Sequence, residues 1–370
     1  MKNNNNSTDQ KPTIAIIGAG IFGINAAIDL GEFARVTLFE RKPTLLTEGS
    51  FINQFRHHMG YHYPRSPETV IDIQNSSKSF EERYGEALVI TTPTYYGIAK
   101  DGSRVDAKSF LNFCDQHNLP YNTEKPEAGY LNEEELSLII KVPEASYHYT
   151  KLIEIANSHL NEKKDIEIQY NASVIDCKLL ENGKKKITVQ RGNQETNDHE
   201  FDFVINATYA HLNSFTRWLN LKPFPIRIDL AEVLIVKIPG PLISLTIMDG
   251  PFATIMPTGN PNEYTLYHVE ASIIDQYTPD DGLVKPVQTT TSRRDEIMQK
   301  SLRFFPFLKN AEIVTSRIVH RGVLANHEHD DSRVANIIEH GNGCWSILSG
   351  KILSSVQTAK RIAKIIKQQS

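Results

Sequence analysis

The 370-residue chain has only three cysteines, Cys114, Cys177 and Cys344, far apart and without metal-ligand spacing. That scarcity fits buried thiols in a reducing compartment better than a disulfide framework. Long hydrophobic runs are missing as well: none approaches the roughly 18 apolar residues a membrane span needs. There is no excess of one charge. Forty Lys and Arg stand against 44 Asp and Glu, for a net charge of −4, so nothing recommends a nucleic-acid partner. No internal repeat is visible. The opening Met1–Gln10 is polar and lacks the apolar core of a signal peptide, so residues 1–12 are expected to form a disordered tail and the protein to be cytoplasmic.

What is present begins at Thr13. Thr13-Ile-Ala-Ile-Ile-Gly18-Ala-Gly20-Ile21-Phe22-Gly23 precedes a helical run, then Val36-Thr-Leu-Phe-Glu40-Arg41. The order is strand, glycine turn, helix, strand, acid, which is the context that makes a G-x-G-x-x-G match specific. Gly18 permits the turn, Gly20 lets backbone approach a diphosphate, and Gly23 lets the helix pack on the strand. The helix start at Ile21 and Phe22 offers free amides and a positive dipole end. Glu40 lies about 20 residues on, where a carboxylate accepts ribose hydroxyls and disfavours a 2′-phosphate.

Further along, residues 41–66 read as a long loop, and a long loop in a compact domain is usually functional. Residues 67–84 read as a helix with Pro67 in its first turn, 88–100 as a strand, Asp106–Cys114 as a short amphipathic helix, and a helix starts near Tyr149. Ile166–Tyr170, Ala172–Lys178 and Lys186–Arg191 read as strands, the last two a hairpin around Glu181–Lys184. Phe201–Ala207 is a buried strand running into a loop. Residues 226–274 read as an antiparallel sheet, 289–305 as a helix and Arg317–Leu324 as a strand. Gly343–Leu348, a turn at Ser349–Lys351 and a helix over 352–368 close the chain.

This layout, with the glycine turn and Glu40, resembles the FAD-dependent oxidoreductases of the D-amino acid oxidase (DAO) superfamily. Glu48-Gly-Ser50 through Asn53, Gln54 and Arg65 resembles the loop that crosses the diphosphate and reaches the flavin ring. Phe203-Val-Ile-Asn-Ala207-Thr208 resembles a second flavin motif that ends in glycine, where this chain has Tyr209. Leu348-Ser-Gly350-Lys351 resembles the closing motif of glycerol-3-phosphate dehydrogenases. His58, Gly60 and Tyr63 match the His-x-Gly-x-x-Tyr of L-2-hydroxyglutarate dehydrogenases. The resemblance implies an α/β fold: a Rossmann-like FAD-binding domain of glutathione reductase type (13–90, 150–215 and 335–370) with an inserted antiparallel-sheet α+β substrate domain (91–149 and 216–334). It further implies FAD, with the backbone of Val174 at the adenine; the flavin is expected to be non-covalent, with covalent attachment to a histidine, as in some relatives, the alternative.

A flavin carries out the redox step while the protein supplies position and field. Gly350 and Lys351 are expected beside the ring, Lys351 either as a cation there or as a solvated charge. His58 reads as the base that takes a substrate proton, or as a residue that hydrogen-bonds its loop; His57 and His62 are weaker candidates. Tyr63, with Tyr61, Tyr96 and Tyr267, walls a pocket or packs a core. Arg65, Arg317 and Arg321 are candidates to clamp a carboxylate or phosphate, since guanidinium binds either in bidentate fashion. His327-Glu-His329-Asp330-Asp331 reads as a solvated loop, so no metal is expected. The expectation is an oxidoreductase that removes hydride from a C–N or C–O bond of a small polar, acid-bearing substrate and passes electrons to oxygen or a quinone. A 2-hydroxy-acid dehydrogenase and a non-catalytic flavin-binding protein are the alternatives.

Overall fold

The computed structural model describes residues 11–51, 54–192, 195–279, 282–287, 291–325 and 332–370. The expected tail of residues 1–12 lies outside them as far as residue 10; Pro12 already accepts the Arg35 amide at 2.9 Å. The first sheet has six strands in the order Asn336–Gly341, Cys344–Leu348, Phe203–Asn206, Thr13–Ile17, Arg35–Phe39, Ile166–Gln169. All pairs in it are parallel except the Asn336–Gly341 edge. The unbroken apolar run Ile14–Ile17 follows from burial on both faces. Ile14 and Ile16 pack against the helices Ile21–Leu30 and Ser354–Gln369, whose Ile24, Ile28, Val356 and Ile362 share their core. Ala15 and Ile17 face the other way, toward Cys177, Ile187 and Val189 of a three-stranded antiparallel sheet.

The second sheet has eight strands and takes them from two stretches of chain. Thr94–Ala99 and Leu136–Val142 lie at one side; Ser244–Met248, Ala253–Pro257, Glu263–His268, Ile226–Lys237, Ile273–Tyr277 and Glu312–Leu324 follow. The antiparallel expectation needs one correction. Ser244–Met248 pairs with Thr94–Ala99 in parallel; no hairpin joins these two strands, so nothing imposes the antiparallel sense.

Three of the longer strands escape the sequence pattern. Glu195–Phe201 is polar up to its last residue, the buried Phe201, because it is the largely exposed outer strand of the three-stranded sheet. Asn336–Gly341 is an edge strand, and Leu136–Val142 carries only part of the expected alternation. The helix expected over 289–305 spans Arg294–Leu302, and the strand expected from Arg317 starts at Glu312. No described helix is long and apolar enough to cross a membrane.

Candidate active site

The glycine turn lies where the first strand meets the first helix. Gly18 has φ +100°, a conformation open to glycine at little cost, and a Cβ there would lie 2.9 Å from Ala207 O. A Cβ on Gly23 would lie 2.0 Å from Gly18 O, so that glycine serves helix–turn packing and does not line the cavity. Gly20 is different: the nearest atom to its Cβ would be Ser50 Oγ, at 3.4 Å. The helix has Gly20 as its N-cap and no side-chain cap. Its Ile21 amide donates to Ser50 Oγ at 3.0 Å. Glu40 accepts the Ala19 amide at 2.8 Å and the Lys42 amide at 2.9 Å, and burial raises its carboxyl above the usual range.

These groups open onto a cavity of about 760 Å³, within the size range of cofactor sites. Of the residues the sequence nominates for the cofactor, Gly18, Gly20, Ile21, Phe22, Glu40 and Arg41 line it. So do Ser50, Gln54, Val174, Ala207, Thr208, Gly350 and Lys351. Asn53 lies outside the described residues. The helix start, the open Gly20 and the Glu40 carboxylate fit the diphosphate and ribose of a dinucleotide.

The 41–66 loop crosses from this channel to the second sheet, and His58, His62, Tyr63 and Arg65 line the same cavity there. His58 Nδ1, His62 Nδ1 and Tyr63 Oη are buried without a hydrogen-bond partner. Buried polar atoms are nearly always paired, so a cluster of three orphans on one wall calls for a ligand. Burial holds both imidazoles well below their usual pKa, helped by the cations Lys351 and Arg56. Lys351 Nζ sits 4.5 Å from the centre of the Tyr63 ring. Burial, with Arg56 nearby, lowers its ammonium to about 7. Gly350 has a role the sequence does not suggest: a Cβ there would lie 2.5 Å from Arg333 O and from Ala335 N, so the chain's own backbone uses that space.

The other candidates separate. Arg321 lines the cavity and donates to Tyr267 Oη. Arg65 also lines it, paired with Asp249 at 2.5 Å. Arg317 stacks on Phe51, 3.8 Å from the ring centre, and is not on the cavity wall. His57 is absent from the wall too, facing Glu81 at 3.3 Å. Tyr61 and Tyr96 belong to a hydrophobic core. The stretch 327–331 lies outside the described residues, and among the described residues no group of three or more metal-ligating side chains gathers.

One residue of the site escapes sequence reasoning. Arg56 is 1% exposed, on the cavity wall, and donates to Tyr96 Oη, Thr246 Oγ1, Thr254 Oγ1 (2.8 Å) and Glu144 (3.2 Å). Glu144 also takes the Met59 amide at 2.9 Å and Tyr96 Oη at 2.6 Å. The network pins the loop to the second sheet. Its partner lies 88 residues away, so no local spacing announces it.

Comparison with known proteins agrees with this geometry. Residues 13–345 match the DAO family, FAD dependent oxidoreductase. The FAD-dependent monooxygenase FPY4 of Fusarium mangiferae is 25% identical over 97% of this chain and 92% of its own length. The FAD-dependent monooxygenase kojA of Aspergillus flavus is 24% identical over 95% and 85%. Glycine oxidase from Geobacillus kaustophilus superposes with a TM-score of 0.72 at 14% identity, covering 97% of this chain and 95% of that one. L-proline dehydrogenase from P. horikoshii gives 0.74 at 16%, covering 98% and 94%. The glycine channel, the crossing loop and a match running nearly end to end have one explanation: the chain belongs to the DAO family of FAD-dependent oxidoreductases.

Proposed function

We propose that the protein oxidises a C–N or C–O bond in a small polar substrate bearing an acid group, in the manner of an amino acid or amine oxidase or dehydrogenase. The observation that carries this reading is the convergence of His58 Nδ1, His62 Nδ1 and Tyr63 Oη, unpartnered and buried, on the wall of the cofactor cavity. Bound FAD supplies a two-electron acceptor. Burial disfavours the imidazolium of His58, and in the tautomer with its proton on Nε2 the unpartnered Nδ1 takes the proton of a substrate amine or hydroxyl as the adjacent carbon loses hydride. The product is an imine or a carbonyl. In this reading Arg321, which donates to Tyr267 Oη, holds the acid group. Arg65 is a second cation for it, provided Asp249 yields. Lys351 adds a positive charge at and below pH 7. Oxygen or a quinone-type molecule takes the electrons onward.

The deciding experiment mixes the yellow protein anaerobically with pools of amino acids, amines and 2-hydroxy acids. Bleaching by an amine pool supports the first reading; bleaching by the hydroxy acids moves the reaction to a 2-hydroxy-acid dehydrogenase, which the His58-Gly60-Tyr63 spacing favours. A flavin that no pool bleaches sinks both. The curated relatives named monooxygenases favour a second reading, oxygen insertion. Turnover under ¹⁸O₂ separates them: label in the organic product supports insertion, and labelled peroxide with unlabelled product supports oxidation alone. His58→Ala should slow bleaching in a single turnover; an unchanged rate removes His58 as the base.

A further inference from the structure

Tyr209 stands where the resembled flavin motif ends in glycine, and the chemistry above does not use it. Its φ is +54°, a left-handed conformation uncommon for a bulky residue. Strained conformations persist where the surroundings over-determine them, and they cluster at ligand clamps. Here three separate segments close on the loop from Ala207 to His211. A Cβ on Gly18 would lie 2.9 Å from Ala207 O. A Cβ on Gly49 would lie 2.7 Å from Tyr209 Cδ1 and 2.8 Å from Cε1, so the ring rests on the bare face of that glycine. A Cβ on Gly322 would lie 3.0 Å from Ala210 Cα. Arg41 lies 3.2 Å from His211 Nε2. The glycine turn, the crossing loop and the Glu312–Leu324 strand thus all meet this one loop.

The contact lies beside the dinucleotide channel. Gly49 precedes Ser50, whose hydroxyl accepts the Ile21 amide at the helix start. Gly20, Gly49, Ser50, Thr208 and Tyr209 share the cavity wall. Glycine would meet the backbone requirement at 209 at lower cost, so the reason for a tyrosine lies in what its ring covers.

We propose that the Tyr209 ring, seated on Gly49, is a latch that retains FAD. It ties the Ala207–His211 loop to the Thr47–Ser50 segment across the wall of the channel and slows cofactor release. The ring acts by contact, so its hydroxyl is dispensable.

The test uses the full-length holoprotein, diluted into flavin-free buffer, with release followed by the rise in flavin fluorescence. Thermal unfolding of the apoprotein is read in parallel. Tyr209→Gly should speed release by about tenfold or more, since interface changes act mostly on dissociation. The same variant gives up the packing of the ring on the Ala210, Leu212 and Ile226 cluster but relieves the left-handed backbone, so the apoprotein should stay close to the parent in stability. Tyr209→Asn, which tolerates the left-handed backbone and lacks the ring, should release as fast, and stands in if the glycine variant fails to fold. Tyr209→Phe should release at the parent rate. Gly49→Ala should speed release in the parent but add nothing to Tyr209→Gly, the signature of two residues acting through one contact. Parent-like release from both Tyr209→Gly and Tyr209→Asn overturns the proposal. So does a Tyr209→Phe that releases as fast as the glycine variant. A Gly49→Ala effect that persists in full without the ring overturns it too, as does an apoprotein of Tyr209→Gly markedly less stable than the parent, which marks a purely structural tyrosine.

Discussion

Three glycines in one turn answer to different constraints. Gly18 and Gly23 are required by the protein's own backbone, since a Cβ on either would collide with carbonyl oxygens at 2.9 and 2.0 Å. Gly20 has ordinary extended dihedrals, φ −73° and ψ 173°, and only Ser50 Oγ near its missing Cβ. The fold tolerates a side chain there; a diphosphate does not. Gly20→Val should therefore yield a folded, colourless protein, whereas Gly23→Val should fail to fold. Absorbance and circular dichroism on the two variants check this, and a fully flavinated Gly20→Val would refute the site. Arg56 and Glu144 make a different prediction. Both are almost wholly buried and hydrogen-bonded to each other. Removing one partner leaves a buried uncompensated charge, so Glu144→Ala should cost about 3–5 kcal/mol in chemical denaturation. That pair was invisible in the sequence because its members are joined only by the packing of the loop on the sheet. Glu40 was legible because its partners in the βαβ unit sit at fixed spacing.

At the scale of elements, the strand Glu312–Leu324 joins the pairing of the second sheet to the cavity wall. It pairs along the whole of Ile226–Lys237, and it holds Arg321 on the cavity wall opposite Asp229 in register. A one-residue slip of register would turn Arg321 to the other face. Arg321→Ala should raise KM for an acidic substrate with a smaller change in kcat, since a ground-state clamp is lost; unchanged kinetics would remove it from the site. The helix Ala107–Gln116 is capped by Asp106, whose carboxylate accepts the Ser109 amide at 2.8 Å. Asp106→Ala should lower the melting temperature modestly and leave flavin binding untouched, which thermal unfolding with and without FAD would show. Elements with strong periodicity or caps were legible in the sequence. Glu195–Phe201 was not, because an exposed outer strand needs no apolar face.

For the whole molecule, the buried histidines set the response to acid. Burial lowers His57 and His268 to about 4, against an ordinary value near 6.5. Below pH 6.5 the unfolded chain takes up protons that the folded chain refuses. Stability therefore falls as pH drops from about 6.5 to about 4, by up to about 1.4 kcal/mol per pH unit for each such histidine. Denaturation at pH 7.5 and at pH 5 should show the decline, and His57→Asn should make it shallower; equal stability at the two pH values would contradict the burial of these rings. The two sheets meet at one cavity because the crossing loop leaves the first sheet and is anchored at Arg56 to the second.

The sequence alone determined the nucleotide-binding start of this protein and its family. A strand, a glycine turn, a helix and an acid follow one another within a span where local geometry leaves a single arrangement. Tertiary structure alone decided which histidines and arginines line the cavity, and what occupies the space beside Gly49 and Gly350. Those outcomes depend on side chains brought together from distant parts of the chain, where burial and close packing, not spacing, select the neighbours.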